Sequence, residues 1–190
     1  MSVVKRFSFV VCVLLATSCA ATAQSPAPLY DKPVYDPDAK RYFALIKLRP
    51  PNGNPYYEGM SWGEADADAR SKSYNGVQGR MAIVDSVKVH EFLLTTFHAN
   101  VPAWIGLRYW CNRRQAEWSD GKFLQPGGFQ AWDPVWNQDV YSCKSAAVIK
   151  GEQYMPVAYN SVSQGAFRWI GKGWTKHYLT YFIEFPTGAP

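Results

Sequence analysis

Apolar and polar positions along the chain alternate at two periods, which predicts short strands, two helices and one long irregular stretch. Tyr42 to Leu48 is an apolar run of strand length, closed by the turn cluster Pro50-Pro51-Asn52-Gly53-Asn54-Pro55. Tyr56-Tyr57 is a short extended piece. Ser61-Trp62-Gly63-Glu64 is a capping box, in which the serine hydroxyl accepts from the Glu64 amide and the Glu64 carboxylate reaches back to the Ser61 amide. The helix it opens places Trp62, Ala65 and Ala69 on one face, with Asp66, Asp68 and Arg70 outside. Asn75-Gly76 suits its left-handed end. Gly79 to Val84 reads as extended, and a second helix starts near Ser86 with Val89, Phe92, Leu93 and Phe97 on one apolar face.

After Pro102 the period changes. Trp104-Ile105-Gly106-Leu107 predicts a short buried strand, Glu117-Trp118 a second piece before the turn Ser119-Asp120-Gly121, and Ala146 to Ile149 another strand. Lys122 to Ser142 between them is poor in strand signals. Leu179, Tyr181, Ile183 and Phe185 alternate with Thr180, Phe182 and Glu184, a period-two strand. No internal repeat occurs. One strand, two helices and then several strands is the order of an α+β domain rather than of alternating βαβ units.

Composition narrows this further. The 190 residues are 16% aromatic and only 18% charged, which excludes a disordered chain and a heptad coiled coil. The length suits one domain. Lys5 and Arg6, the apolar run Phe7 to Ala16 and the small-x-small site Ala21-Thr22-Ala23 read as a secretory signal peptide over 1–23. A secreted or periplasmic protein follows, with a Pro-rich linker over 24–40 and a domain over 41–187. A lipid anchor at Cys19 is the alternative processing. It is disfavoured because lipoprotein signals usually carry Leu three positions before the cysteine, where Ala16 stands here. No later segment is apolar for long enough to span a membrane. Loss of Lys5 and Arg6 lowers the net charge of +5 by two, and no run of five like charges exists, so nucleic acid is not an expected partner. Cys111 and Cys143 remain after the signal peptide. An even pair in an exported chain reads as a disulfide, the other arrangement being two free buried thiols.

The motifs in order resemble the C-type lectin-like domain family. Met60-Ser61-Trp62-Gly63-Glu64-Ala65 is similar to its first-helix signature. Gly79-Arg80-Met81-Ala82-Ile83-Val84, with Glu91-Phe92-Leu93 after it, is similar to the stretch entering its second helix. Trp104-Ile105-Gly106-Leu107 is similar to its most characteristic tetrapeptide. Trp118-Ser119-Asp120-Gly121, Phe129 with Trp132, Gly173-Trp174 and Tyr181-Phe182-Ile183-Glu184-Phe185 follow in family order, so the resemblance covers about residues 42–186. It implies two helices with a small, mainly antiparallel sheet and a long loop region, and a binding role without enzymatic activity. In the family's layout, Cys111 and Cys143 flank the long loop region. The chain departs from the family where Ser71 or Ser73 and Ile183 replace a common cysteine bridge. It departs again where Trp132-Asp133-Pro134-Val135-Trp136-Asn137 replaces the Glu-Pro-Asn or Gln-Pro-Asp loop, and where Thr175-Lys176 follows Trp174 in place of Asn-Asp. Calcium takes six to eight oxygen ligands. Beyond Gln130 only Asp133, Asp139, Glu152 and Glu184 carry carboxylates, and Lys176 sets an ammonium where a ligand belongs. Neither a metal nor another cofactor is expected.

The ligand surface is expected on the loops, where Trp110, Arg113, Arg114, Trp132, Trp136 and Asn137 gather aromatic and cationic anchors for a glycan or protein ligand on a surface. Packing is the competing role for the tryptophans, above all for Trp132. The alternative function is a secreted serine hydrolase. Gly59-Met60-Ser61-Trp62-Gly63 matches a nucleophile elbow, followed by Asp133 or Asp139 and then His177 in hydrolase order. That elbow needs a buried apolar strand before it, and Asn54-Pro55-Tyr56-Tyr57-Glu58 is not one. His90 and His98 lack the spacing of a zinc helix and read as helix-surface or helix-end residues.

Overall fold

The computed structural model describes residues 29–30, 32–134, 143, 145–159 and 167–190. Strands β1 (Leu29–Tyr30), β2 (Val34–Asp36) and β3 (Arg41–Lys47) come first. Both β1 and β2 pair antiparallel with β3, so over these residues the expected linker is an edge of the sheet. Prolines are tolerated there because an edge strand need not donate outward. Pro33 stands between the two strands, and buried Asp36 turns the chain into β3 by accepting from the amides of Asp38 and Ala39 at 2.9 and 3.3 Å.

Helix α1 (Trp62–Ser71) begins at the complete capping box of Ser61 and Glu64 and buries Trp62, Ala65 and Ala69. It ends before Asn75-Gly76. That dipeptide instead turns a two-strand hairpin of β4 (Ser73–Tyr74) and β5 (Val77–Gln78), with φ of 48° and 76° at the two turn residues. Such a turn needs positive φ at both positions, which Asn-Gly supplies. Strand β6 (Arg80–Met81) leads to α2 (Val87–Phe97), capped by the Ser86 hydroxyl and ended by His98 in the left-handed region.

Strand β7 (Ala103–Trp110) is twice the length of the predicted tetrapeptide, and β8 (Gln115–Trp118) returns against it. After the loop region come β9 (Ala147–Ile149), β10 (Glu152–Tyr159), β11 (Trp169–Gly171) and β12 (Thr180–Phe185). The eight-residue β10 has no clear signal in the sequence because Pro156 interrupts it. The strand absorbs the proline with a register shift between Pro156 and Ala158. The main path of the sheet runs β1-β3-β12-β7-β10-β11, antiparallel except where β12 lies parallel to β7. All of β12 is buried, so its alternation does not mark a wet face; it is an inner strand covered on both sides. The fold is α+β, as expected.

The pleat sends successive side chains to opposite faces. On one face α2 packs with Phe43, Ile105, Leu107, Tyr109, Tyr159 and Trp169. On the other α1 packs with Ile46, Trp104, Ala158 and Tyr181. Gly106 allows the strands to close between them, since a Cβ there would lie 2.6 Å from the Met81 carbonyl oxygen and 2.8 Å from the Ser119 hydroxyl.

One charge is sealed into this core. Glu184 is fully buried on β12. Its carboxylate accepts from Arg80 Nε at 2.6 Å, Arg41 Nη1 at 3.0 Å and the Ile83 amide at 3.1 Å. Burial pushes its pKa up, and the two guanidiniums and the Ile83 amide pull against that push. Removing one partner of such a group leaves the others buried and uncompensated. Glu184→Gln is expected to lower the unfolding free energy by about 3 kcal/mol or more. Lys122→Ala, on the exposed rim beside it, is expected to stay within about 0.5 kcal/mol, both read from urea midpoints. Ser61→Ala is expected to cost about 1 kcal/mol and Ser61→Asp less, since aspartate also caps.

Candidate functional site

The loop region is held at both ends and in the middle. Cys111 and Cys143 form a disulfide, 32 residues apart in sequence with Cα atoms 5.9 Å apart, which closes the excursion between β7 and β9. In its middle the loop is bound to Trp169, which is fully buried on β11. Trp169 donates its amide to the Ala131 carbonyl at 2.7 Å, and its own carbonyl accepts from the Asp133 amide at 2.8 Å. The rings of Trp118, Phe129 and Trp132 stand edge-on to its indole at 5.6, 5.6 and 5.5 Å. His90 supports the same corner from α2. Its Nδ1 lies 2.8 Å from the Tyr159 hydroxyl and its ring 5.4 Å from that of Phe129. It is half-buried rather than a surface residue, and burial, helped by Arg168, lowers its pKa.

Against this frame the expected anchors divide. Trp110 is buried, donates Nε1 to Glu117 at 2.6 Å and lies against Tyr154, with the guanidiniums of Arg108 and Arg113 at 5.0 and 5.2 Å from its ring. It is a packing residue. Arg113 is paired in a fork with Glu152. Arg114, with a φ of 53°, and half-buried Trp132 share one cleft of about 370 Å³. Trp136 and Asn137 lie outside the described residues, as does Asp139.

The cleft is walled by Tyr109, Arg114, Gln115, Gln125, Gln130 and Trp132, over Phe123 and Leu124. Its amides are oriented by their own bonds. Trp132 Nε1 donates to Gln130 Oε1 at 3.0 Å, and Gln130 Nε2 donates to the carbonyls of Pro126 and Gln125 at 3.3 and 3.4 Å. Gln125 Nε2 donates to the Phe123 carbonyl at 3.1 Å. The three glutamines escaped the sequence reading because they sit at no common period. They meet only once Trp169 has drawn residues 129–133 onto β11.

The chemistry this arrangement supports is hydrogen bonding and stacking. Among the described residues no group of three or more His, Cys, Asp or Glu is placed to hold a metal ion. Trp169 lies on β11 beside the loops, while Trp174 is exposed in a turn. The residues after Trp169 are Ile170 and Gly171, which offer no side-chain oxygen either. Among the described residues, then, no set of side-chain oxygens converges as a calcium site would require. Among the described residues Ser61 and His177 line one cleft, but the Ser61 hydroxyl donates to Glu64 at 2.8 Å and His177 Nδ1 faces the Thr175 carbonyl at 3.0 Å, so no bond between serine and histidine is present. Ser61 belongs to the α1 face of the sheet, whereas Asp133 is joined to Trp169 on the other.

No protein-family model matches the chain, and no curated protein matches it in sequence. Solved structures do match. The C-type lectin CEL-I from Cucumaria echinata is similar at a TM-score of 0.51 with 14% identity, over 76% of this chain and 89% of that one. The mouse scavenger receptor C-type lectin carbohydrate-recognition domain is similar at 0.51 with 12% identity, over the same shares. At these identities the likeness carries the architecture. The chain has a C-type lectin-like fold.

Proposed function

We propose that the protein is an exported binding module that recognises a glycan in the loop cleft without calcium. The observation that carries this reading is the cleft itself, in which Arg114 and Trp132 meet Gln115, Gln125 and Gln130 on a frame fixed by Trp169 and the disulfide. Hydroxyl groups both donate and accept, and so do carboxamides. An indole beside them offers an apolar face to the C–H side of a sugar ring. Pinned loops lose little freedom on binding, which favours a weakly interacting ligand. The expectation of export rests on the leader over 1–23, and no described helix is long and apolar enough to cross a membrane.

A glycan array probed with the mature protein, with and without a chelator, tests the reading. Binding that survives chelation is expected. Arg114→Ala is expected to weaken it by at least tenfold, within the range of an interface anchor. Arg113→Ala is expected to change it by less than twofold, because Arg113 is already held by Glu152. Chelator-sensitive binding, or equal losses at both arginines, would place recognition elsewhere.

A further inference from the structure

A second cleft, of about 300 Å³, opens on the opposite face of the sheet. It lies between the first turn of α1, the strand β10 and the turn 173–177. Tyr154 and Trp62 belong to the α1-side core that lines it, whereas Tyr109 of the loop cleft belongs to the α2 side. Trp174 stands over it 59% exposed, while the other described tryptophans are buried or half-buried. The backbone holds Trp174 there. Its amide donates to the Ser145 carbonyl at 2.9 Å, and the Lys176 amide donates to the Gly173 carbonyl at 3.0 Å. An indole carried on a tied turn presents an apolar plane from an anchored backbone.

The polar groups around that plane are of both kinds. Glu64 uses Oε2 for the Ser61 amide and hydroxyl, which lowers its pKa and keeps it ionised, while Oε1 has no bond of its own. His177 meets the Thr175 carbonyl through Nδ1 at 3.0 Å, which leaves its other ring nitrogen, Nε2, outside that contact. The donors are the Tyr154 hydroxyl, whose pKa burial raises, and the amide of Gly63 in the first turn of α1, where no backbone acceptor exists. At Gly63 nothing lies within 4 Å of where a Cβ would be, so no side chain of its own covers this side of the turn.

We infer that this cleft is a binding site for one uncharged pyranose ring, stacked on Trp174 and hydrogen-bonded by Glu64, His177 and Tyr154. The charge pattern selects the class. An anion meets the Glu64 carboxylate, and a cation meets the positive end of α1. A neutral polyol uses the acceptors and the donors together. The site is independent of the loop cleft and of the glycan reading made for it.

The test is a titration of ¹⁵N-labelled mature protein with free glucose, galactose, mannose and N-acetylglucosamine, following the Trp174 indole N–H resonance. At least one sugar is expected to shift it saturably. Trp174→Ala is expected to weaken that binding at least tenfold. Trp174→Phe should restore part of it, since a ring remains to stack. The exposure of Trp174 leaves the fold of both variants intact, which their melting temperatures check. Arg114→Ala should leave this titration unchanged, so failure of the loop cleft and failure of this site are read separately. The inference is overturned if none of the four sugars moves the resonance. It is equally overturned if Trp174→Ala binds as well as the parent, or if choline or glucuronate binds there in preference to the neutral sugars.

Discussion

Burial of Trp169 is the constraint on which the loop region depends. Its indole is fully enclosed, three aromatic rings meet it edge-on, and its backbone holds the amide of Asp133 and the carbonyl of Ala131. Edge-on ring pairs contribute about 0.5–1.5 kcal/mol each beyond the area they bury. Trp118 comes from a strand, but Phe129 and Trp132 come from a stretch whose described ladder contacts are two isolated bridges, Glu117 with Phe123 and Trp132 with Trp169. Ordering such a segment costs about 1–2 kcal/mol per residue in backbone freedom. The indole therefore does for the loop what neighbouring strands do for β7. It converts an irregular stretch into a wall with a defined surface.

The rest of the sheet is organised so that this corner is rigid. Strand β12 lies between β3 and β7 with every side chain buried, and Glu184 joins it to Arg41 of β3, Arg80 of β6 and the Ile83 amide. A carboxylate in that position is costly to desolvate, and its partners are placed to offset the cost only when three separate segments are in register. The same network lines a cleft of about 480 Å³ bounded by Trp118, Phe123 and Phe129, so the charged corner and the aromatic hub share a wall.

How much of this was legible followed the range of the interactions. The capping box at Ser61 and Glu64 and the start of the second helix near Ser86 are local signals, and both stand as read. So do the apolar faces of both helices, while the order of elements gains β1 and β2 before the first expected strand and the β4–β5 hairpin between the helices. Asn75-Gly76 shows a limit of local signals, because the pair suits a helix end and a hairpin equally, and the pairing of β4 with β5 decides it. Strand β10 was hidden by Pro156, and the strands before residue 41 by the prolines around them. Trp110 could not be told from an exposed anchor, since its burial is set by Tyr154, Glu117 and Arg108. The glutamine wall was invisible for the same reason: it exists only through contacts across the loop, and composition carries no trace of them.

The placement of the carboxylates supports the proposal that recognition runs through amides and rings. After Gln130, among the described residues, Asp133 is buried, Glu152 is forked onto Arg113, and Glu184 is enclosed by two arginines. A divalent ion would need several of these to converge with charge to spare. Glu152 and Glu184 are instead paired with arginines that hold the frame. Neutral hydrogen bonds contribute about 0.5–1.5 kcal/mol each in net terms. A site built from them gains selectivity mainly by fixing its groups before the ligand arrives. The bonds that orient Gln125, Gln130 and Trp132 toward one another do that in the loop cleft, and the tied turn does it for Trp174. The two proposed clefts lie beside different core clusters, the loop cleft on the α2 side and the second on the α1 side. Any gain from using them together requires ligands that are themselves multivalent, such as a glycan-covered surface.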